Sequence, residues 1–317
     1  MEIIDKYGRT LKTLRVSLTN ACNLACVYCV SGTAKKGAVK LPTLEVAALA
    51  HYISQLHLLL KLDTVRLTGG EPTLYPHLLA LVAKLGEANI PNLKMTTNGH
   101  LLAPLVKPLA TLGLKHINIS LDATTEEDFR KIANSKNLLP IFKSIDTALE
   151  AGIEVKLNAV ILRGINDNQI LPLLQFAAER GIVLRYLELM RMGPMFEGAR
   201  FQQYYFPQNE ILERIQAYYT LHALGRPKHG TANYWQANNV KFGIIANETE
   251  PFCSDCDRLR LDSHGRIFGC LSNNEPIDLT GSIDNAVLLQ HRLLQALHQK
   301  QSVKFTGSDI SMLAIGG

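Results

Sequence analysis

The chain has 317 residues, 47% of them apolar and 19% charged, with a formal net charge of +5 at pH 7. This composition builds a substantial core and excludes a disordered chain, while the length favours one large α/β domain with an appendage, or two domains. The mild positive charge, with no dense Lys/Arg block, does not suggest a long nucleic-acid footprint and is compatible with a small anionic ligand.

The opening "MEIIDKYGRTLK" has no apolar secretion region, and no apolar run approaches the roughly 20 residues that span a bilayer, so a cytoplasmic protein without membrane association is expected. From about residue 12 to 190, short strand-like runs alternate with longer amphipathic stretches. "LRVSLT", "TVRLTG", "LKMTTNG", "HINISLD", "EVKLNAV" and "VLRYLEL" read as strands, with "LEVAALAHYISQLHLLL" and "ILPLLQFAAER" among the helices. This rhythm predicts an α/β fold: a partial (β/α)6 TIM-like barrel over residues 1–198, followed by a smaller domain over 199–317 where the rhythm changes.

The strands alternate rather than running apolar throughout. Leu14, Val16 and Leu18 oppose Arg15, Ser17 and Thr19, and Val65 and Leu67 oppose Arg66 and Thr68. Leu93 and Met95 oppose Lys94 and Thr96, Ile117 and Ile119 oppose Asn118 and Ser120, and Val155 and Leu157 oppose Lys156 and Asn158. A closed eight-stranded barrel fills its interior with branched apolar side chains, so a polar inner face implies an incomplete barrel around a ligand cavity. Arg15, Arg66, Lys94 and Lys156 on that face call for anions, phosphates above all, unless they end in water or pair with Asp122 and Glu71.

All six cysteines fall in two groups of three, Cys22/Cys26/Cys29 and Cys253/Cys256/Cys270. In a cytoplasmic chain such clustering points to metal or iron–sulfur ligation rather than to disulfides. The first group, "CNLACVYC", directly follows the first strand, at the carboxyl end of the sheet where barrel enzymes bind substrates. Three thiolates hold a 4Fe–4S cluster and leave its fourth iron open; a zinc ion or an electron-transfer cluster is the plainer use of the same donors. "TGGEP" at 68–72 follows the second strand, and its paired glycines let backbone approach a ligand closely. It lacks the Gly-Lys-Ser/Thr ending of a phosphate loop. In "FCSDCDRLRLDSHGRIFGC", Cys253 and Cys256 form a Cys-x2-Cys turn and Cys270 ends a hairpin turned by "SHG", with His264 available as a fourth zinc ligand. Arg258 and Arg260 share one face of the strand leaving that turn, either a solvated edge or an anion grip.

Cys-x3-Cys-x2-Cys with Tyr28 before the last cysteine, followed by "GGEP", resembles the radical S-adenosylmethionine enzymes, in which the open iron chelates the amino acid end of S-adenosylmethionine. From about residue 5 onward, "YGRTLKTLRVSLTNACN", "VRLTGGEP", "INISLDA", "VKLNAV", "LRYLELM", "FCSDCDRLRL" and the terminal "IGG" resemble, in order, the GTP 3′,8-cyclase family of molybdenum cofactor biosynthesis. The resemblance implies two 4Fe–4S clusters, on Cys22/Cys26/Cys29 and Cys253/Cys256/Cys270, with the first triad catalytic. S-adenosylmethionine cleaved there gives a 5′-deoxyadenosyl radical that takes hydrogen from C3′ of GTP, and the carbon radical closes onto C8 to give (8S)-3′,8-cyclo-7,8-dihydroguanosine 5′-triphosphate. It assigns Tyr28, Gly70, Ser120 and Met190 to S-adenosylmethionine, and Arg15, Arg66, Thr96, Lys156, Arg258 and Arg260 to GTP. It further implies that the second cluster ligates the guanine base, that Gly316 and Gly317 reach toward the site, and that an external electron donor and a downstream cyclic pyranopterin monophosphate synthase are partners. A homodimer is compatible with it. Thr64, "TLYPHL" after "GGEP", and Val30 and Ser31 after the first triad depart from the family pattern. They keep a second reading open, a two-cluster maturase or paralogue acting on another nucleotide or a peptide, with a non-catalytic iron–sulfur or zinc protein behind it.

Overall fold

The computed structural model describes residues 3–30, 43–135, 137–196 and 199–316; Ser31 and Gly317 lie outside the described residues. Its first part alternates β1 (Thr13–Ser17), α1 (Val46–Leu60), β2 (Thr64–Thr68), α2 (Leu78–Glu87), β3 (Leu93–Thr97), α3 (Val106–Thr111) and β4 (His116–Ser120). It continues with α4 (Glu126–Ala133), α5 (Leu139–Glu150), β5 (Glu154–Val160), α6 (Ile170–Glu179) and β6 (Val183–Leu187). The six strands pair side by side and in parallel, in chain order. Each predicted strand is present; β5 matches in full, and the other five end a residue or two earlier than expected, where a loop begins.

The C-terminal third flanks this arc on both sides. After α7 (Ala199–Tyr204) and α8 (Gln208–Gln216), the antiparallel β7 (Leu221–Gly225), β8 (Asn233–Ala237) and β9 (Val240–Ile245) join through β9, which runs parallel to β6. On the opposite edge, β10 (Arg258–Asp262) runs parallel to β1 and turns through Gly265, at φ +79°, into β11 (Arg266–Phe268) and then β12 (Ile277–Asp278). An open sheet of 12 strands results, in the order β12-β11-β10-β1-β2-β3-β4-β5-β6-β9-β8-β7. The helices α9 (Ala286–His298) and α10 (Met312–Ile315) close the chain.

Period-two patterning decides which face each strand buries. Leu14, Val16, Val65, Leu67, Met95, Ile117, Ile119 and Leu157 are fully buried and belong to one continuous core with Ile53 and Leu56 of α1, Leu81 and Leu85 of α2, and Ile141 and Ile145 of α5. Local signals agree with the tertiary order. The Thr125 hydroxyl caps α4 by accepting from the Asp128 amide, three acids in its first turn favour the positive end of the helix dipole, and Asn134 ends it at φ +54°.

Neighbouring residues of β2 therefore test the two faces. Leu67→Ala should cost about 2–5 kcal/mol in urea denaturation of the ligand-free chain. Arg66→Met, on the inner face, should leave stability unchanged or raise it by about 1 kcal/mol, because it removes a half-buried cation that its neighbours repel. A loss for Arg66→Met as large as for Leu67→Ala would overturn the assignment of faces.

Candidate active site

The inner face of the arc encloses a cavity of about 570 Å³. All six cysteines line it, as do Tyr28, Gly70, Ser120, Met190, Arg15, Arg66, Thr96, Lys156, Arg258 and Arg260. Strand register sets the cations in a belt: Arg260 of β10 lies beside Arg15 of β1, Arg15 beside Arg66 of β2, and Arg66 beside Lys94 of β3. Arg185 of β6, beside Asn158 of β5, extends the belt and was not singled out from the sequence, although "VLRYLEL" places it opposite Leu184 and Tyr186.

These cations destabilise one another. Burial and then the neighbouring Arg260, Arg66, Arg258 and Arg185 hold Arg15 well below an ordinary guanidinium. Burial, then Arg185 and Arg258, bring Arg66 down to about 10, and burial brings Arg260 to about 10. Neither Asp122 nor Glu71 neutralises them. Glu71 is fully buried and accepts from the Thr73 amide and hydroxyl, the Thr97 hydroxyl and the Asn98 amide, so it ties the loops after β2 and β3 together. Asp122 accepts from the Tyr28 hydroxyl at 2.7 Å and the Val160 amide at 2.8 Å. Lys156 does find a carboxylate, Glu154, at 2.7 Å. Asn158 Oδ1 and Arg185 Nε, both on the cavity wall, are buried without a hydrogen-bond partner among the described residues.

The two triads sit at opposite ends of this belt. Cys22, Cys26 and Cys29 follow Ser17 at the carboxyl end of β1, whereas Cys256 precedes Arg258, which pairs with Thr13 at the amino end of the same strand. At about 3.3 Å per residue, roughly 13 Å of strand separates those ends. Burial raises Cys22, lifts Cys26 well above an ordinary thiol, and pushes Cys29 up to about 12, with Asp122, Cys29 and Cys22 adding to it at Cys26, and Cys22 and Asp122 at Cys29. In the second triad, burial, then Cys256 and Cys270, push Cys253 up to about 11. Cys256 differs: burial would raise it, but Lys300 and Arg258 outweigh that and carry it down. His264 does not line the cavity, so the expected fourth zinc ligand is not brought to Cys253, Cys256 and Cys270.

Backbone makes the close approaches. A Cβ on Gly70 would strike the Ala21 carbonyl, so the loop after β2 passes directly under the loop that carries the first triad. A Cβ on Gly316 would lie 2.5 Å from Thr68 Cγ2, and the Ile315 and Gly316 carbonyls both accept from Arg260, so the tail reaches the belt.

Residues 16–177 match the family model described as the radical SAM superfamily, and residues 182–306 match the one described as Molybdenum Cofactor Synthesis C. The chain is 34% identical over 316 residues to the GTP 3′,8-cyclase of Pseudomonas fluorescens (strain Pf0-1), covering 95% of this chain and 92% of that one. It is 35% identical over 286 residues to the GTP 3′,8-cyclase of Aquifex aeolicus (strain VF5), covering 89% and 88%. The chain belongs to the GTP 3′,8-cyclase family of the radical SAM superfamily. The fold agrees with a crystal structure of Streptococcus suis SuiB bound to precursor peptide SuiA, at a TM-score of 0.66 and 15% identity, over 92% of this chain and 67% of that one.

Membership of this superfamily implies a 4Fe–4S cluster and S-adenosylmethionine, and the first triad fits them. Three thiols line one cavity, with Cys22 close enough to raise both Cys26 and Cys29, and among the described residues no three His, Cys, Asp or Glu converge on a single-ion site. A cubane, larger than one ion, takes such a donor set with one iron left open.

Two outcomes follow. Gly70→Ala forces the first cysteine loop aside at a cost of about 1–3 kcal/mol, and iron bound by the reconstituted chain should fall. Burial raises Asp122 to about 6, with the Tyr28 and Val160 hydrogen bonds opposing it. The folded chain then holds this proton more tightly than the unfolded one, so the contribution to stability is present below about pH 4 and lost as pH rises to about 6. Relative to wild type, ligand-free Asp122→Asn should gain up to roughly 3 kcal/mol across that window in denaturation measured against pH.

Proposed function

We propose that this chain is a GTP 3′,8-cyclase that commits GTP to molybdenum cofactor biosynthesis in the cytoplasm. The observation that carries the substrate class is the belt of mutually repelling, largely half-buried cations strung between two cysteine triads. A nucleoside triphosphate supplies negative charge to a belt whose guanidiniums destabilise one another, and its length suits the separation of the triads.

In this reading Cys22, Cys26 and Cys29 hold the catalytic cluster, with Tyr28, Gly70, Ser120 and Met190 around S-adenosylmethionine. When bound, that pair supplies one-electron cleavage and hence a radical able to take hydrogen from C3′ of the ribose. Arg15, Arg66, Lys156, Arg258 and Arg260, with Thr96, grip the triphosphate, and charge-assisted contacts of this kind contribute about 1.5–3 kcal/mol each. Cys253, Cys256 and Cys270 hold a second 4Fe–4S cluster facing the guanine. The Tyr28–Asp122 hydrogen bond keeps the wall beside the first triad in one geometry. The protein's contribution is to present C3′ to the radical and keep water out. Residues 1–198 serve as the radical domain and 199–317 as the substrate and second-cluster region. An external reductant supplies the electron, and a cyclic pyranopterin monophosphate synthase takes the product.

The test is anaerobic reconstitution with iron and sulfide, then 5′-deoxyadenosine counted with and without GTP under a strong reductant. GTP should accelerate its formation and be consumed, and Arg258→Ala with Arg260→Ala should weaken GTP binding by roughly a hundredfold, as loss of about 3 kcal/mol implies. Cleavage indifferent to GTP would overturn the substrate and favour the paralogue reading.

A further inference from the structure

Lys300, just beyond α9, is 2% exposed. Its ammonium donates to the Arg258 carbonyl at 2.7 Å, the Gly269 carbonyl at 3.2 Å and the Cys256 sulfur at 3.6 Å. An ammonium has three donors, and all three are used. Arg258 opens the strand after Cys256, and Gly269 precedes Cys270, so one side chain clamps the two segments that bring those cysteines together. The clamp has a firm base, because Gly269 packs so closely on the Ala296 backbone of α9 that a Cβ would not fit. Cys253 is held separately, by the Arg9 guanidinium on its carbonyl.

Among the described residues no carboxylate lies within ion-pair distance of Lys300. Two carbonyls and a lone sulfur compensate a buried ammonium less well than an anionic centre on three thiolates does. The first triad is arranged the other way, with Asp122 and Glu71 as its charged neighbours.

We propose that Lys300 is the positioning residue of the second triad: it fixes Cys256 and Cys270 relative to each other, donates to the Cys256 sulfur, and raises the reduction potential of the iron–sulfur centre they hold. The inference rests on the iron–sulfur reading of that triad. A nearby positive charge and an N–H···S bond both stabilise the reduced, more negative centre.

The experiment uses full-length chains lacking the first triad (Cys22→Ala, Cys26→Ala, Cys29→Ala), so that only the second centre is read by iron and sulfide content and by EPR-monitored redox titration. Lys300→Met should lower iron affinity roughly tenfold or more, and the remaining centre should titrate at lower potential. Lys300→Arg, keeping charge and donors, should restore both. Adding Cys253→Ala, Cys256→Ala and Cys270→Ala separates the two claims. Iron unchanged by thiol removal overturns the iron–sulfur reading and the proposal with it. Iron lost on thiol removal but kept at the parent potential in Lys300→Met overturns the role of Lys300 alone. Should Lys300→Met fail to fold by circular dichroism, Lys300→Gln decides, and an unshifted potential there overturns the proposal.

Discussion

Like charge held half-buried in strand register is the constraint on which the rest of this structure depends. Arg260, Arg15, Arg66 and Lys94 stand side by side because β10, β1, β2 and β3 pair residue for residue, and hydrogen-bonded strands cannot slip to relieve them without turning every side chain to the other face. Their repulsion is a standing cost in the ligand-free chain, offset by the apolar layer between sheet and helices. It also explains why the interior is a cavity rather than a packed barrel core. Branched side chains there would bury the guanidiniums with no anion at all.

The same constraint makes the two ends of the cavity unlike. Near the first triad the charged neighbours are carboxylates, Asp122 and Glu71; near the second they are Lys300, Arg258 and Arg9. An anionic ligand is therefore drawn from the belt toward the second triad, and a cationic one is tolerated better beside the first. Two sets of three cysteines that look equivalent by count thus have distinct electrostatic surroundings, which come from second neighbours far apart in sequence.

What the sequence revealed was whatever the local period encodes. Alternation in five strands identified the inner face and its cations, and Arg185 follows from the same alternation in "VLRYLEL". Carboxylate partners were less legible: Glu71 and Asp122 looked available to the cations, yet backbone amides and hydroxyls take up their oxygens. Position of the second triad was not legible at all. It depends on β10 pairing parallel with β1 across more than two hundred residues, and no local pattern in "DRLRLD" distinguishes that from an edge hairpin. Lys300, in the plain "HQKQS", gains its meaning only from what α9 places around it.

Long-range assembly also explains why both ends of the chain are tied to the site. Arg9 forms a buried pair with Asp5 and donates to the Cys253 and Gln301 carbonyls, joining the N-terminal turn, the second cysteine turn and the segment after α9. At the other terminus, Gly316 fits between the ends of β1 and β2 and offers its carbonyl to Arg260. Contacts of such high sequence separation close long loops, and the apolar layer offsets that entropy together with the repulsion in the cation belt. Backbone carbonyls from the tail then occupy part of Arg260 without filling the cavity, which lets the ligand-free chain carry this charge and still yield it to an anion with more to offer.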